Sequence, residues 1–195
     1  FHYTEVKASN LVKVDIQGNK VDDSPYAVNP AGLVIHTAIH AARPDIHCIA
    51  HTHTTEGMAV ACSKEGLRTD NFYSALLNNR IAYHDFEGIT VMDDEKPRLV
   101  KSLADKNILI LRNHGLLVGG RSIPEAFQTM WGLQRACEVQ VATDASGKTP
   151  IPINDEVLAK TAQLLNLQAM GGPAGGLEFD ALTRVIAKTD PSYKE

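Results

Sequence analysis

The sequence is poor in cysteine and has no long apolar run. Three cysteines in 195 residues do not make a disulfide framework, and this scarcity is typical of a reducing compartment. Its apolar runs all fall short of the roughly eighteen residues that a membrane-spanning helix requires. The first residues also lack the basic and apolar regions of a signal peptide. These absences predict a cytoplasmic protein without membrane insertion.

An excess of positive charge is also absent. Lysine and arginine number 19 against 23 aspartates and glutamates, which leaves a net charge of −4. This balance argues against nucleic acid and anionic membranes as partners. We expect residues 1–195 to form a single domain, with a glycine-rich stretch and C-terminal tail at 171–195. Because the chain begins at Phe1 rather than Met, we also expect an N-terminal segment to precede it.

Segments with helical and extended patterns alternate along the sequence without a regular βαβ period. Helices are predicted at 31–43, 55–61, 72–77, 96–106, 122–143, 155–166 and 179–187. Strands are predicted at 11–15, 47–53, 80–83, 89–91, 107–112 and 115–118, the first of them forming a hairpin with residues 20–21. This order favours an α/β protein in which helices cover both faces of a mixed or antiparallel sheet.

Eight histidines are the unusual feature of the composition. His51 and His53 are two residues apart on a predicted strand, so their side chains leave the same face. Imidazoles at that spacing can bind one ion. His114 follows the apolar strand 107–112, and Gly115 after it is expected to let the backbone turn sharply. Three histidines would leave one coordination position open, as in reactive metal sites.

Other interpretations of these residues stay open. A His-x-His pair is a short pattern that also occurs in strands without a metal. The helical pair His36 and His40 has ligand spacing too, but no carboxylate lies between them, and we interpret them as packing or surface residues. Glu56 is a candidate acid or base three residues after His53. Alternatively, Glu56 only stabilises a helix, because a negative charge in the first turn interacts favourably with the helix dipole.

Four segments together resemble the class II aldolase/adducin family. They are residues 29–61, AYHDFEG at 82–88, ILILRNHGLLV at 108–118 and ACEVQ at 136–140. The interval of 114 − 53 = 61 residues between the second and third histidines agrees with the family pattern. The resemblance covers residues 4 to about 143, and its NPAG, RPD, AYHD and RNHG motifs are most similar to the adducin head domain.

This resemblance implies a three-layer α/β/α sandwich around a largely antiparallel sheet. It implies a divalent metal ion, usually Zn²⁺, bound by His51, His53 and His114, and a homotetramer with sites between subunits. Tyr73 aligns loosely with a tyrosine that some members use as an acid from a neighbouring subunit. A cytoskeletal partner is suggested by the adducin resemblance alone.

The sequence departs from the sugar-phosphate aldolases of this family at one motif. Those enzymes carry Ser-Ser-Glu where this chain has Pro30, Ala31 and Gly32. The serines hold the substrate phosphate and the glutamate is the acid/base, so the standard sugar-phosphate aldol cleavage is not expected here.

Two hypotheses follow from this departure. The first is a divalent-metal-binding protein that lacks aldolase chemistry and serves oligomerisation or protein interaction. The alternative is a metal-dependent lyase, epimerase or decarboxylase that acts on a small hydroxy-carbonyl or carboxylic acid compound.

Overall fold

A computed structural model describes residues 2–89, 93–169 and 174–195. Its helices are α1 (Pro30–Ala42), α2 (Thr55–Cys62), α3 (Phe72–Leu76), α4 (Lys96–Leu103), α5 (Ile123–Ala145), α6 (Asp155–Ala169) and α7 (Gly176–Thr189). Its strands are β1 (Cys48–Thr52), β2 (Ile81–His84), β3 (Ile108–Leu111) and β4 (Gly115–Gly120). The glycine-rich positions 171–173 and most of the predicted strand 89–91 lie outside the described residues.

The four strands form one sheet in the order β1-β4-β3-β2. β4 pairs antiparallel with both β1 and β3, whereas β2 pairs parallel with β3. The sheet is therefore mixed but largely antiparallel, as expected. In the β1–β4 register Thr52 lies opposite Leu116, which brings the end of β1 beside the turn that joins β3 to β4.

Alternating apolar side chains cover both faces of the sheet. Ile108, Ile110, Leu116 and Val118 pack with buried residues of α2 and α5 on one face. The intervening Leu109, Leu111 and Leu117 pack with buried residues of α1 and α4 on the other face. Fully burying one such side chain stabilises the fold by about 1.5–3 kcal/mol. The three-layer α/β/α sandwich predicted from the sequence is confirmed.

Local side-chain contacts explain where the helices begin. Asn29 Oδ1 accepts a 3.1 Å hydrogen bond from the backbone NH of Ala31 and caps α1. Ser122 caps α5 as predicted, through a 3.3 Å bond from the NH of Glu125. Thr54 occupies the N-cap position of α2, but its hydroxyl instead donates to Gln134 Oε1 at 2.5 Å. The start of α2 is therefore tied to α5.

Two local predictions were wrong. Residues 11–15 do not form a strand, and the expected hairpin is reduced to a single antiparallel bridge between Val14 and Lys20. Helix α4 ends at Leu103 instead of residue 106. Ala104 has a positive φ of 50°, which a right-handed helix does not allow. Ile89, the one described residue of the predicted strand 89–91, is 80% exposed in a bend.

Within the described ranges, none of the helices is both long and apolar enough to cross a membrane.

Candidate metal centre

Three histidines from two parts of the chain meet at one edge of the sheet. The ring centroids are 4.5 Å apart for His51 and His53, 4.9 Å for His51 and His114, and 4.8 Å for His53 and His114. One ligand atom from each ring lies within 4.8 Å of the others. Across the described part of the chain, this is the one group of at least three potential ligands close enough to share an ion. The structure thus brings together the three histidines predicted from the sequence.

The sheet and one tight turn position these rings. His51 lies on β1 and His53 lies just beyond its last residue. His114 belongs to the short turn between β3 and β4, in which Asn113 has a left-handed φ of 57°. Asparagine tolerates this conformation better than most residues. Asn113, and not the predicted Gly115, therefore supplies the sharp turn.

Gly115 has a different role, which is to permit close approach of the β3–β4 turn to strand β1. A Cβ atom at this position would lie 2.4 Å from the carbonyl oxygen of Thr52 and 3.0 Å from Cδ2 of His53. Both distances are shorter than normal van der Waals contacts. The absence of a side chain at Gly115 thus lets the turn that carries His114 approach β1 closely.

One hydrogen bond determines how the His51 ring is protonated. His51 Nδ1 lies 2.8 Å from the carbonyl oxygen of Leu116, which can only accept. Nδ1 must therefore carry the proton, and the lone pair of the neutral ring is on Nε2. This Nε2 lies 2.8 Å from Nε2 of His53. Histidine ligands of metals commonly donate their other NH to a carbonyl in this way, so the donor set fits a divalent ion.

Burial keeps two of the rings neutral. It lowers the pKa of His51 to about 4, and the nearby His114 and His53 add to this effect while the Leu116 carbonyl opposes it. Burial also lowers the pKa of His114, reinforced by His53 and opposed by the charge of Glu95. Both rings are therefore neutral at pH 7 and have a lone pair available for a metal.

The two candidate catalytic residues lie outside the histidine cluster. Glu56 Oε2 accepts a 3.2 Å hydrogen bond from Gln134 Nε2, whose second NH goes to Glu138 Oε1 at 2.9 Å. The ring of Tyr73 packs edge-on against Trp131, with centroids 5.6 Å apart. Glu56 therefore contacts α5, and the ring of Tyr73 forms part of an aromatic surface.

A small cleft opens beside His114, lined by residues 84–88, Glu95, Leu111, Arg112 and His114. His84 at its base is buried, with Nδ1 2.9 Å from Ser102 Oγ and Nε2 3.3 Å from Glu95 Oε1. Sequence reasoning found no partner for His84, because Glu95 and Ser102 are 11 and 18 residues away along the chain. The AYHD motif marked the position of His84 but not this contact.

A family profile for the "Class II Aldolase and Adducin N-terminal domain" matches residues 1–141. Rat alpha-adducin is 48% identical over 199 residues, which cover 94% of this chain and 27% of the adducin. The chain therefore belongs to the class II aldolase and adducin family.

Two solved structures extend the comparison to the fold. An aldolase II superfamily protein from Pseudomonas syringae is 42% identical, with a TM-score of 0.90 over 98% of this chain and 77% of that protein. An L-fuculose 1-phosphate aldolase from Glaciozyma antarctica PI12 is 29% identical, with a TM-score of 0.81 over 97% of this chain and 73% of the enzyme. The chain is thus similar both to an aldolase and to an adducin.

The space around Gly115 generates a direct test. Gly115→Ala is expected to destabilise the protein by about 1–3 kcal/mol, because the new methyl group must displace the backbone of β1. Chemical unfolding followed by circular dichroism measures this change.

Gly32→Ala is the matched control for that substitution. No atom lies within 4 Å of a Cβ built at Gly32, which lies in the first turn of α1. This control is expected to be neutral or to stabilise the protein by up to about 1 kcal/mol. Equal stability of the two variants would contradict the close approach of the turn to β1.

Proposed function

We propose that this chain binds one divalent cation, Zn²⁺, through His51, His53 and His114. The observation that carries the proposal is the hydrogen bond from His51 Nδ1 to Leu116, which leaves the lone pair on Nε2, 2.8 Å from Nε2 of His53. Three imidazole ligands would leave a fourth position for water or a substrate oxygen. A bound ion would polarise such an oxygen and stabilise negative charge on it.

We further propose that this protein does not perform the standard sugar-phosphate aldol cleavage. Gly32 has no side chain, and Pro30 and Ala31 have no hydroxyl with which to hold a phosphate. Glu56 is the carboxylate nearest in sequence to the ligands, and it is engaged by Gln134 on α5. A positioned base contributes about 10²- to 10⁴-fold to such reactions, so its loss would leave little aldolase activity.

Metal analysis tests the first of these proposals. The purified protein is expected to contain about one divalent ion per chain, and His51→Ala and His53→Ala are each expected to lose it. Elemental analysis by mass spectrometry after dialysis measures the metal content.

His47→Ala is the control, because this histidine is exposed and lies outside the cluster. It should retain the metal of the unmodified protein. A folded, metal-free protein with all histidines intact would contradict the proposal.

A second function is that of a metal-dependent lyase, epimerase or decarboxylase. It is favoured because a small molecule can reach the histidine cluster from solvent. His53 is exposed, and His114 lines the adjacent cleft. A small hydroxy-carbonyl or carboxylic acid compound is the substrate class proposed, because its oxygens could bind to such an ion.

A substrate screen separates the scaffold from the enzyme. Metal-loaded protein is incubated with L-fuculose 1-phosphate and with unphosphorylated hydroxy-carbonyl and carboxylic compounds, and the products are followed by mass spectrometry. We expect no cleavage of the sugar phosphate, because the base and the phosphate ligands are missing. Turnover of another compound that is lost in His51→Ala would establish the enzyme, and rapid cleavage of the sugar phosphate would contradict our proposal.

We also propose a cytoplasmic homotetramer. The support is an aromatic surface in which Phe72 is 71% and Trp131 is 43% exposed beside Tyr73. Exposed apolar surface of this kind commonly marks an interface. A small-molecule substrate belongs to the enzyme alternative, and a cytoskeletal partner is supported only by the identity with alpha-adducin.

Light scattering of the purified protein tests the assembly. We expect the mass of four chains, and Phe72→Ser is expected to shift the protein towards smaller species because it removes exposed apolar area from the surface. Leu177→Ser is a control on α7, where the side chain is 84% exposed. A monomer at all concentrations would contradict the proposal.

A further inference from the structure

The proposed metal centre has no negative charge among its ligands. Neutral imidazoles donate lone pairs but leave the two positive charges of the ion uncompensated. Two of the three rings are partly buried, where charges are less well screened than in water. A carboxylate close to the ligands would therefore strengthen metal binding without itself being a ligand.

Glu95 provides a carboxylate in the right place. It is 7% exposed and lines the same cleft as His114. Its charge also acts on His114, since it opposes the lowering of the His114 pKa by burial. A buried carboxylate is costly to keep unless other groups compensate it.

The surroundings of Glu95 hold its carboxylate in position. His84 is 4% exposed and lies between Glu95 Oε1 and Ser102 Oγ. Its Nε2 lies 3.3 Å from Glu95 Oε1 and 3.9 Å from Glu87 Oε1. The buried ring therefore orients the Glu95 carboxylate at the cleft.

Glu87 lines the same cleft, but its carboxylate forms an ion pair with Arg98. Its carboxylate accepts two hydrogen bonds of 2.9 Å from Nε of Arg98, and a third of 2.5 Å from Nη2. The guanidinium holds the pKa of Glu87 below its ordinary value and neutralises its charge. Glu87 is therefore a matched carboxylate whose charge is already compensated.

We propose that Glu95 is the counter-charge of the metal centre. It acts from outside the ligand set, across the cleft beside His114, and His84 and Ser102 hold it in position. This inference rests on the proposed function, because it requires an ion on the three histidines. Glu95 is thus a positioning and electrostatic residue rather than a ligand.

The test compares metal affinities of stripped proteins. Competition with a chromophoric chelator gives the Kd for Zn²⁺ of the unmodified protein, Glu95→Gln and Glu87→Gln. Loss of a carboxylate that supports a metal site from outside typically costs about 10- to 100-fold in affinity, so Glu95→Gln is expected to weaken binding by that factor. Glu87→Gln is expected to change the Kd by less than about 3-fold, because Arg98 already neutralises its charge.

The absorption spectrum of the Co²⁺-loaded protein separates a ligand from a counter-charge. We expect the same d–d bands in Glu95→Gln and in the unmodified protein, because the three imidazole ligands do not change. Altered bands would make Glu95 a ligand and overturn the proposal. An unchanged Kd in Glu95→Gln would also overturn it, whereas a failure of the unmodified protein to bind metal would overturn the proposed function instead.

Folding of the variants is checked by circular dichroism of the metal-free proteins. If Glu95→Gln does not fold, Glu95→Asp replaces it, because this variant keeps the charge and withdraws it by one methylene group. A Kd weakened by about 3-fold or more is then expected, and an unchanged Kd overturns the proposal.

Discussion

The antiparallel pairing of β1 with β4 is the contact on which the candidate site depends. It places Thr52 opposite Leu116, so the end of β1 with its two histidines meets the turn that carries His114. The same pairing brings the Leu116 carbonyl to His51 Nδ1, which orients the lone pair of that ring. Backbone register thus determines both which rings meet and which nitrogen of His51 carries the lone pair.

Patterns that are local in sequence predicted much of this protein. The apolar alternation of β3, the cap at Ser122 and the His-x-His spacing each depend on neighbouring residues, and the structure contains all three. The position of His114 after an apolar strand indicated the third histidine, and the family resemblance agreed with this and with helices on both faces of the sheet. Contacts between distant segments were missed, because the sequence alone did not pair Leu116 with His51 or Glu95 with His84.

The similarity to both an aldolase and an adducin is compatible with our proposal of a metal centre that lacks the aldolase acid/base. The three rings that would hold the ion are close together, whereas Gly32 has no side chain. Glu56, the other candidate in sequence, contacts Gln134 on α5. The protein therefore combines a potential metal centre with a distinct set of charged groups around it.

Gly32 and Gly115 differ in the freedom that they leave to evolution. Gly32 faces open space, so a Cβ atom can be gained or lost there without a clash. Gly115 is enclosed by the backbone of β1, so a substitution there disturbs the sheet together with the turn that carries His114. Selection for folding alone thus keeps this turn close to β1, whereas position 32 is open to drift.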